Sequence, residues 1–192
     1  MMDESAKFTT PVDSYLGRLE DLLGSKLRVR SLGFLAQLNI RAGMNVLPDI
    51  ERECGIKLAR ELNASCDTKN WSSLRLGPDE WLLVGLEGSQ CQVLRKLEVL
   101  AETNLISAVD VSCNRIAIEV SGNCSLELLS ALTNLSLSSL GPGKCVQTFM
   151  ERVQVILHWM KSRDCYRIYV RSSFARYLVD VIIDQSQFLE VK

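Results

Sequence analysis

Residues 71–86 read WSSLRLGPDEWLLVGL, and the way this stretch folds decides the class of the protein. Apolar residues stand on both sides of the tetrapeptide Gly-Pro-Asp-Glu at 77–80. Pro78 and Asp79 suit the central positions of a type I turn: proline presets φ, and aspartate bends the backbone through its side-chain oxygen. Residues 71–76 and 81–86 are therefore predicted strands joined by a tight turn. The competing reading makes Asp79 and Glu80 the general acid and base of an enzyme. Such a pair needs two carboxylates whose pKa values are set apart at one site, whereas adjacent residues of an extended chain point in opposite directions. The turn is the better reading.

Working outward, Ser89 and Gln92 fit a capping box ahead of Val93, Leu94, Leu97 and Leu100, which recur at helical spacing. Upstream, residues 27–41 alternate as two strands broken at Gly33, and residues 61–70 are polar and read as a loop. Pro48 can open a helix with Asp49 and Glu51 in its first turn and Gly55 as its stop. The first half thus runs β-β-α-β-β-α. The second half restarts with strands at 108–111 and 115–121, then a helix with Leu128, Leu129, Leu132 and Leu135 on one face. Strands are predicted at 145–150, 153–160 and 166–170. A last helix carries Phe174, Tyr177, Leu178, Val181 and Ile182 at i, i+3, i+4, i+7 and i+8, with Ser172 or Ser173 as its cap. Residues 13–23 place Leu16, Leu19, Leu22 and Leu23 on one helical face before Gly24. Paired strands punctuated by single helices indicate an α+β fold with helices packed on antiparallel-rich sheets. The expected organisation is an N-terminal arm with a short amphipathic helix (1–25), a first α+β lobe (26–104) and a second (105–192).

The 192 residues carry a net charge of −1, so the chain lacks the basic excess that nucleic acid or an anionic membrane demands; neither is expected as a partner. Lys26, Arg28 and Arg30 alternate on one short strand and read as its solvated side. No run approaches the ~18 apolar residues of a membrane span. The opening MMDESAKFTT is polar and unlike a signal peptide, so the four Asn-X-Ser sequons carry little weight and a cytoplasmic location is expected. Seven cysteines without a Cys-x-x-Cys, and a single histidine, argue against a structural zinc site. The cysteines read as reduced, mostly buried thiols.

Other candidates for chemistry are weak. His158 falls on a strand with Gln154, Ile156 and Met160 and reads as partly exposed. Gly-x-Ser-x-Gly and Gly-x-Gly-x-x-Gly are absent. The Gly-Pro-Gly-Lys at 141–144 fails as a phosphate loop, because Ser138 stands where a glycine is needed and Cys145 where Ser or Thr is needed. Trp71, Trp81 and Trp159 lie in strands, where aromatics pack against cross-strand neighbours or face a partner. No catalytic, cofactor-binding or metal-binding residue is assigned.

Five segments in order do point to a family: LRVRSLGFLAQLNIR, LGPDEWLLV, VDVSCNRIAIEVSG, GPGKCVQT with VQVILHW, and YRIYVRSSFARYLVDVI. Together, over residues 26–185, they resemble the gamma subunit of bacterial heterotetrameric sarcosine oxidase. The second half is also similar, more distantly, to the folate-binding aminomethyltransferase of the glycine-cleavage system, through Val109-Asp-Val-Ser, Val120-Ser-Gly, Leu132-Thr-Asn and the Gly turn at 140–143. The resemblance implies the two-lobed aminomethyltransferase-like fold. It also implies a complex that oxidises sarcosine to glycine, formaldehyde and hydrogen peroxide, or to 5,10-methylenetetrahydrofolate. Alpha, beta and delta partner subunits are implied, with FAD, FMN, NAD, tetrahydrofolate and zinc bound on them and none on this chain. Residues 152–163 contain no acid, whereas the transferase carries a functional aspartate in the corresponding strand pair, so the resemblance implies a scaffold without its site. Two alternatives stay open at this stage: the equivalent subunit of an N-methylglutamate dehydrogenase, and a freestanding folate-binding aminomethyltransferase-like protein.

Overall fold

The computed structural model describes residues 10–15, 26–160 and 164–189. It holds two five-stranded antiparallel sheets and, among the described residues, four α-helices. The strands are β1 (Arg28–Ser31), β2 (Leu35–Ala42), β3 (Ser65–Asp67), β4 (Trp71–Arg75) and β5 (Glu80–Leu86), then β6 (Ile106–Asp110), β7 (Arg115–Ser121), β8 (Cys145–Met150), β9 (Val153–Met160) and β10 (Cys165–Arg171). The helices are α1 (Leu47–Cys54), α2 (Gln90–Ala101), α3 (Ser125–Leu132) and α4 (Ala175–Ser186).

One sheet has the order β3-β4-β5-β2-β6 and the other β1-β7-β10-β9-β8. The sheets do not divide at residue 104. β1 leaves the first half to pair with β7, and β6 leaves the second half to pair with β2. Each half thus lends one strand to the other, which ties the two sheets together through the chain itself.

Alternation along the strands sorts side chains into three cores. On the outer face of the first sheet, Leu38, Ile40, Trp81 and Leu83 pack on α1 and α2 through Leu47, Ile50, Val93 and Leu97. On the outer face of the second sheet, Ile118, Val120, Leu157 and Ile168 pack on α3 and α4. Between the sheets lies a smaller core of Leu74, Leu82 and Val84 against Ala117, Cys145, Ile156 and Tyr169. The result is a helix–sheet–sheet–helix stack, with hydrophobic burial as its main favourable term.

The hairpin at 71–86 forms as the turn chemistry requires. Leu76 N–H donates to Glu80 O at 2.9 Å, and Trp71 stands opposite Gly85. A Cβ at Gly85 would lie 2.7 Å from the Trp71 ring, so glycine there makes the space the indole fills. α1 carries Pro at its first turn and ends at Gly55 with φ of 70°.

Several local expectations differ. Ser89 does not cap α2; its hydroxyl donates backward to Leu86 O at 2.5 Å. α3 ends at Leu132, so Leu135 lies beyond it. Ser172 and Ser173 do not cap α4 but form, with Phe174, a 3-10 turn ahead of it. The buried stripe of α4 is Ala175, Leu178, Val179, Ile182 and Ile183, which leaves Phe174 and Tyr177 exposed. Of the N-terminal helix predicted at 13–23, Asp13–Tyr15 is a 3-10 turn and the remainder lies outside the described residues.

Candidate functional site

The chemistry-bearing side chains of this protein gather between the sheets. The cross-strand register of the second sheet places Arg30, Glu119, Arg167, His158 and Cys145 directly opposite one another on β1, β7, β10, β9 and β8. Residues paired in this way project from the same face. They form one polar row across all five strands.

Glu119 is the hinge of the row. Its Oε1 accepts from Arg30 Nε at 2.9 Å and from Arg30 Nη2, and its Oε2 accepts from Arg167 Nε at 3.1 Å. Burial works to raise the Glu119 carboxyl, but the hydrogen bonds and positive charge of the two arginines outweigh it and hold the group below the usual range. Arg30 was expected on the solvated side of its strand. It keeps one end in water and reaches inward with the other.

His158 is fully buried, which corrects the expectation of a partly exposed strand face. It is covered by β3, a strand inside the segment expected to be a loop. Ser65 and Asp67 of β3 point at the ring: His158 Nε2 lies 3.0 Å from Ser65 Oγ and 3.5 Å from Asp67 Oδ2. β9 has no carboxylate of its own, and Asp67 arrives from the other sheet. Burial raises the Asp67 carboxyl, while His158, Ser72 and Arg167 together pull it below its ordinary value.

Serine, histidine and aspartate in one place call for a test against nucleophilic catalysis. A triad needs the acid on one ring nitrogen and the nucleophile on the other, so that the histidine can relay a proton between them. Here both oxygens address Nε2, and Nδ1 has no hydrogen-bond partner among the described residues. Ser65 is only partly exposed, and His158 has no contact with solvent. This arrangement joins two sheets and does not activate a hydroxyl. Next to it, burial pushes the Cys145 thiol up to about 12, so the group stays protonated and unreactive. Burial likewise holds the Tyr169 hydroxyl up at about 12.

The Gly-Pro-Gly-Lys turn contributes to the same seam. Ser65 N–H donates to Gly143 O at 2.8 Å, Cys145 N–H donates to Asn63 O at 2.8 Å, and Lys144 Nζ reaches Glu61 at 2.9 Å. The segment that failed as a phosphate loop is the backbone stitch between the two sheets.

The acid pair that opened the sequence question lies elsewhere, on the surface. Asp79 Oδ1 and Glu80 Oε2 meet the two terminal nitrogens of Arg41 at 3.3 and 3.0 Å, and Glu80 Oε1 accepts from Asn39 at 2.8 Å. Glu80 and Arg41 are cross-strand partners. The pair brackets one arginine, and Glu80 holds Asn39 as well.

The remaining candidates are placed as follows. None of the seven cysteines forms a disulfide, and only Cys145 and Cys165 are buried, while Cys91 and Cys113 are exposed. Trp81 is buried with its Nε1 donating to Ala59 O at 2.8 Å, and Trp159 stacks on Tyr166 with ring centres 5.4 Å apart. Both tryptophans pack internally. Among the described residues no group of three or more His, Cys, Asp or Glu could hold a metal ion, and no helix is long and apolar enough to cross a membrane.

The site is thus a structural seam, and comparison with known proteins places the chain. Residues 49–187 match the family model described as sarcosine oxidase, gamma subunit family. The chain belongs to that family. The heterotetrameric sarcosine oxidase from Corynebacterium sp. U-96 in complex with pyrrole 2-carboxylate matches with a TM-score of 0.84. The identity is 23% over 96% of this chain and 99% of the matched chain. The glycine cleavage system aminomethyltransferase T from Bartonella henselae matches with a TM-score of 0.65 and 13% identity, over 88% of this chain and 49% of that one. At these identities both show a shared fold, the aminomethyltransferase-like α+β fold that the resemblance implied. No curated protein sequence matches. Membership in a gamma subunit family makes this chain one component of a larger assembly, and the internal position of the polar row accords with such a role.

Proposed function

We propose that this chain is the non-catalytic, structural gamma subunit of a heterotetrameric sarcosine oxidase, assembled with alpha, beta and delta subunits that carry FAD, FMN, NAD, tetrahydrofolate and zinc. The complex demethylates sarcosine oxidatively to glycine, with the one-carbon unit leaving as formaldehyde or as 5,10-methylenetetrahydrofolate. The observation that carries this reading is the family match over residues 49–187. The inward-facing polar row supports the non-catalytic part: its histidine is fully buried and its acids are spent on arginines and on that histidine.

Co-expression with the three partner chains tests the proposal. The expected result is one co-purifying yellow complex that turns over sarcosine, and failure of that complex to assemble when this chain is omitted. A complex that assembles and turns over sarcosine at full rate without this chain overturns it.

A further inference from the structure

The inner face of the second sheet is not covered along its whole length. Ala117, Tyr169 and Ile156 stand side by side on β7, β10 and β9 and are buried against the first sheet. Alternation sets the next side chains of that face two residues along each strand, at Arg115, Arg171 and Gln154, and at Phe149 on β8. Arg115 is the cross-strand partner of Arg171, and Gln154 of Phe149. The first sheet stops short of this strip. Arg171 and Gln154 are exposed, Phe149 leaves 62% of its surface in water, and Arg115 is half-buried.

The strip holds positive charge that the chain does not balance. Like charges directly opposite one another destabilise a sheet. Among the described residues, neither Arg115 nor Arg171 forms a side-chain hydrogen bond or an ion pair. The carboxylate whose charge bears on Arg115 is that of Glu80. It already meets Arg41 at 3.0 Å and Asn39 at 2.8 Å. Burial and the charge of Arg171 together pull the Arg115 guanidinium below its ordinary value. The other two arginines on this face, Arg30 and Arg167, share Glu119. Two neighbouring guanidinium groups without a counter-charge, two strands away from an exposed phenylalanine, call for an occupant that is both anionic and apolar.

We propose that this strip receives an acidic segment of a partner subunit, whose carboxylates meet Arg115 and Arg171 and whose apolar side chain packs on Phe149. The inference rests on the assembly proposed above and names the face and the chemistry of one of its contacts. Guanidinium groups pair with carboxylates through two parallel N–H donors, and the contact strengthens as docking removes water. A basic segment is repelled from the strip, and an uncharged one leaves the two arginines facing each other unpaired.

The test uses the full chain co-expressed with its partner chains. Arg171→Glu, at an exposed position, is compared with the unmodified chain and with Arg95→Glu, an equal change of charge at an exposed position on α2. The expected result is at least about tenfold less co-purifying complex for Arg171→Glu and no loss for Arg95→Glu, because a like charge set against the acidic segment repels it. In a separate complex, p-benzoylphenylalanine in place of Phe149 is photo-activated and the cross-linked peptide is sequenced. It should come from a partner chain and carry acidic residues beside the point of attachment. If Arg171→Glu does not accumulate, the cross-link decides. Undiminished assembly of Arg171→Glu overturns the inference, as does a cross-link to a segment without acids, to this chain itself or to a second copy of it, or none at all. Failure of the unmodified chains to assemble overturns the proposed function as well, so the two readings fail by different results.

Discussion

Two clusters in this protein set carboxylates against arginines, and they differ in almost every consequence. On the surface, Asp79 and Glu80 bracket Arg41, and the Asp79 and Arg41 side chains are both more than half exposed. Between the sheets, Glu119 bridges Arg30 and Arg167 with 6% of its side chain exposed. In water, an ion pair gains little over the solvation it gives up, and double-mutant cycles of exposed pairs return about 0.2–1 kcal/mol. In the interior, the loss of one partner strands the other without solvent or counter-charge. The acid pair that looked most like machinery in the sequence is therefore the dispensable one, and the glutamate that drew no notice joins three strands.

The largest effect expected from this contrast is on Glu119. Replacement by Ala leaves Arg167 buried and unpaired, and should cost about 3–5 kcal/mol in urea unfolding. A loss below about 1 kcal/mol would place the row on the same footing as the surface pair. Next, Gly85→Ala forces a methyl group into the Trp71 ring. It should cost about 1–3 kcal/mol by overpacking and alter tryptophan fluorescence. His158→Phe fills the same space but leaves Asp67 without its ring partner, and a loss of about 1–3 kcal/mol is expected.

The pH dependence sharpens the same comparison. Glu119 and Asp67 are held below their ordinary values near 4.5 and 3.8. A carboxylate depressed in the folded state gives stability that is complete above its unfolded value and is lost as pH falls through the folded value. Stability should thus decline with acid from about pH 4.5 downward, and Glu119→Gln should flatten that decline. Asp79→Ala is the smallest change. It should shift stability by less than about 1 kcal/mol.

Much of this architecture was legible in the sequence, because apolar runs bounded by Gly and Pro turns mark the strands, even though the central ones are buried on both faces. Residues 145–150 and 153–160 were predicted with the bounds the strands adopt. The seam was not legible. β3 is only Ser-Cys-Asp, too short to show a period, and it lies in a polar stretch. Ser65 and His158 are 93 residues apart, and they meet only because the two sheets stack. The exchange of β1 and β6 between halves was hidden for a similar reason, since alternation reports which face is buried and not which strand lies alongside. The one signal available was chemical. A histidine flanked by Leu157 and Trp159 on an apolar strand needs a polar partner if it is buried, and Asp67 was within the set of acids that could supply one.

The central claim, that this subunit supplies structure and no reacting group, is tested most directly by sarcosine turnover per bound flavin in the assembled complex carrying His158→Phe. The account predicts a rate within about twofold of the unmodified complex, with any loss appearing as reduced yield or thermal stability of the assembly. A fully assembled complex whose turnover falls more than about tenfold would contradict it, because the buried histidine would then be taking part in the reaction.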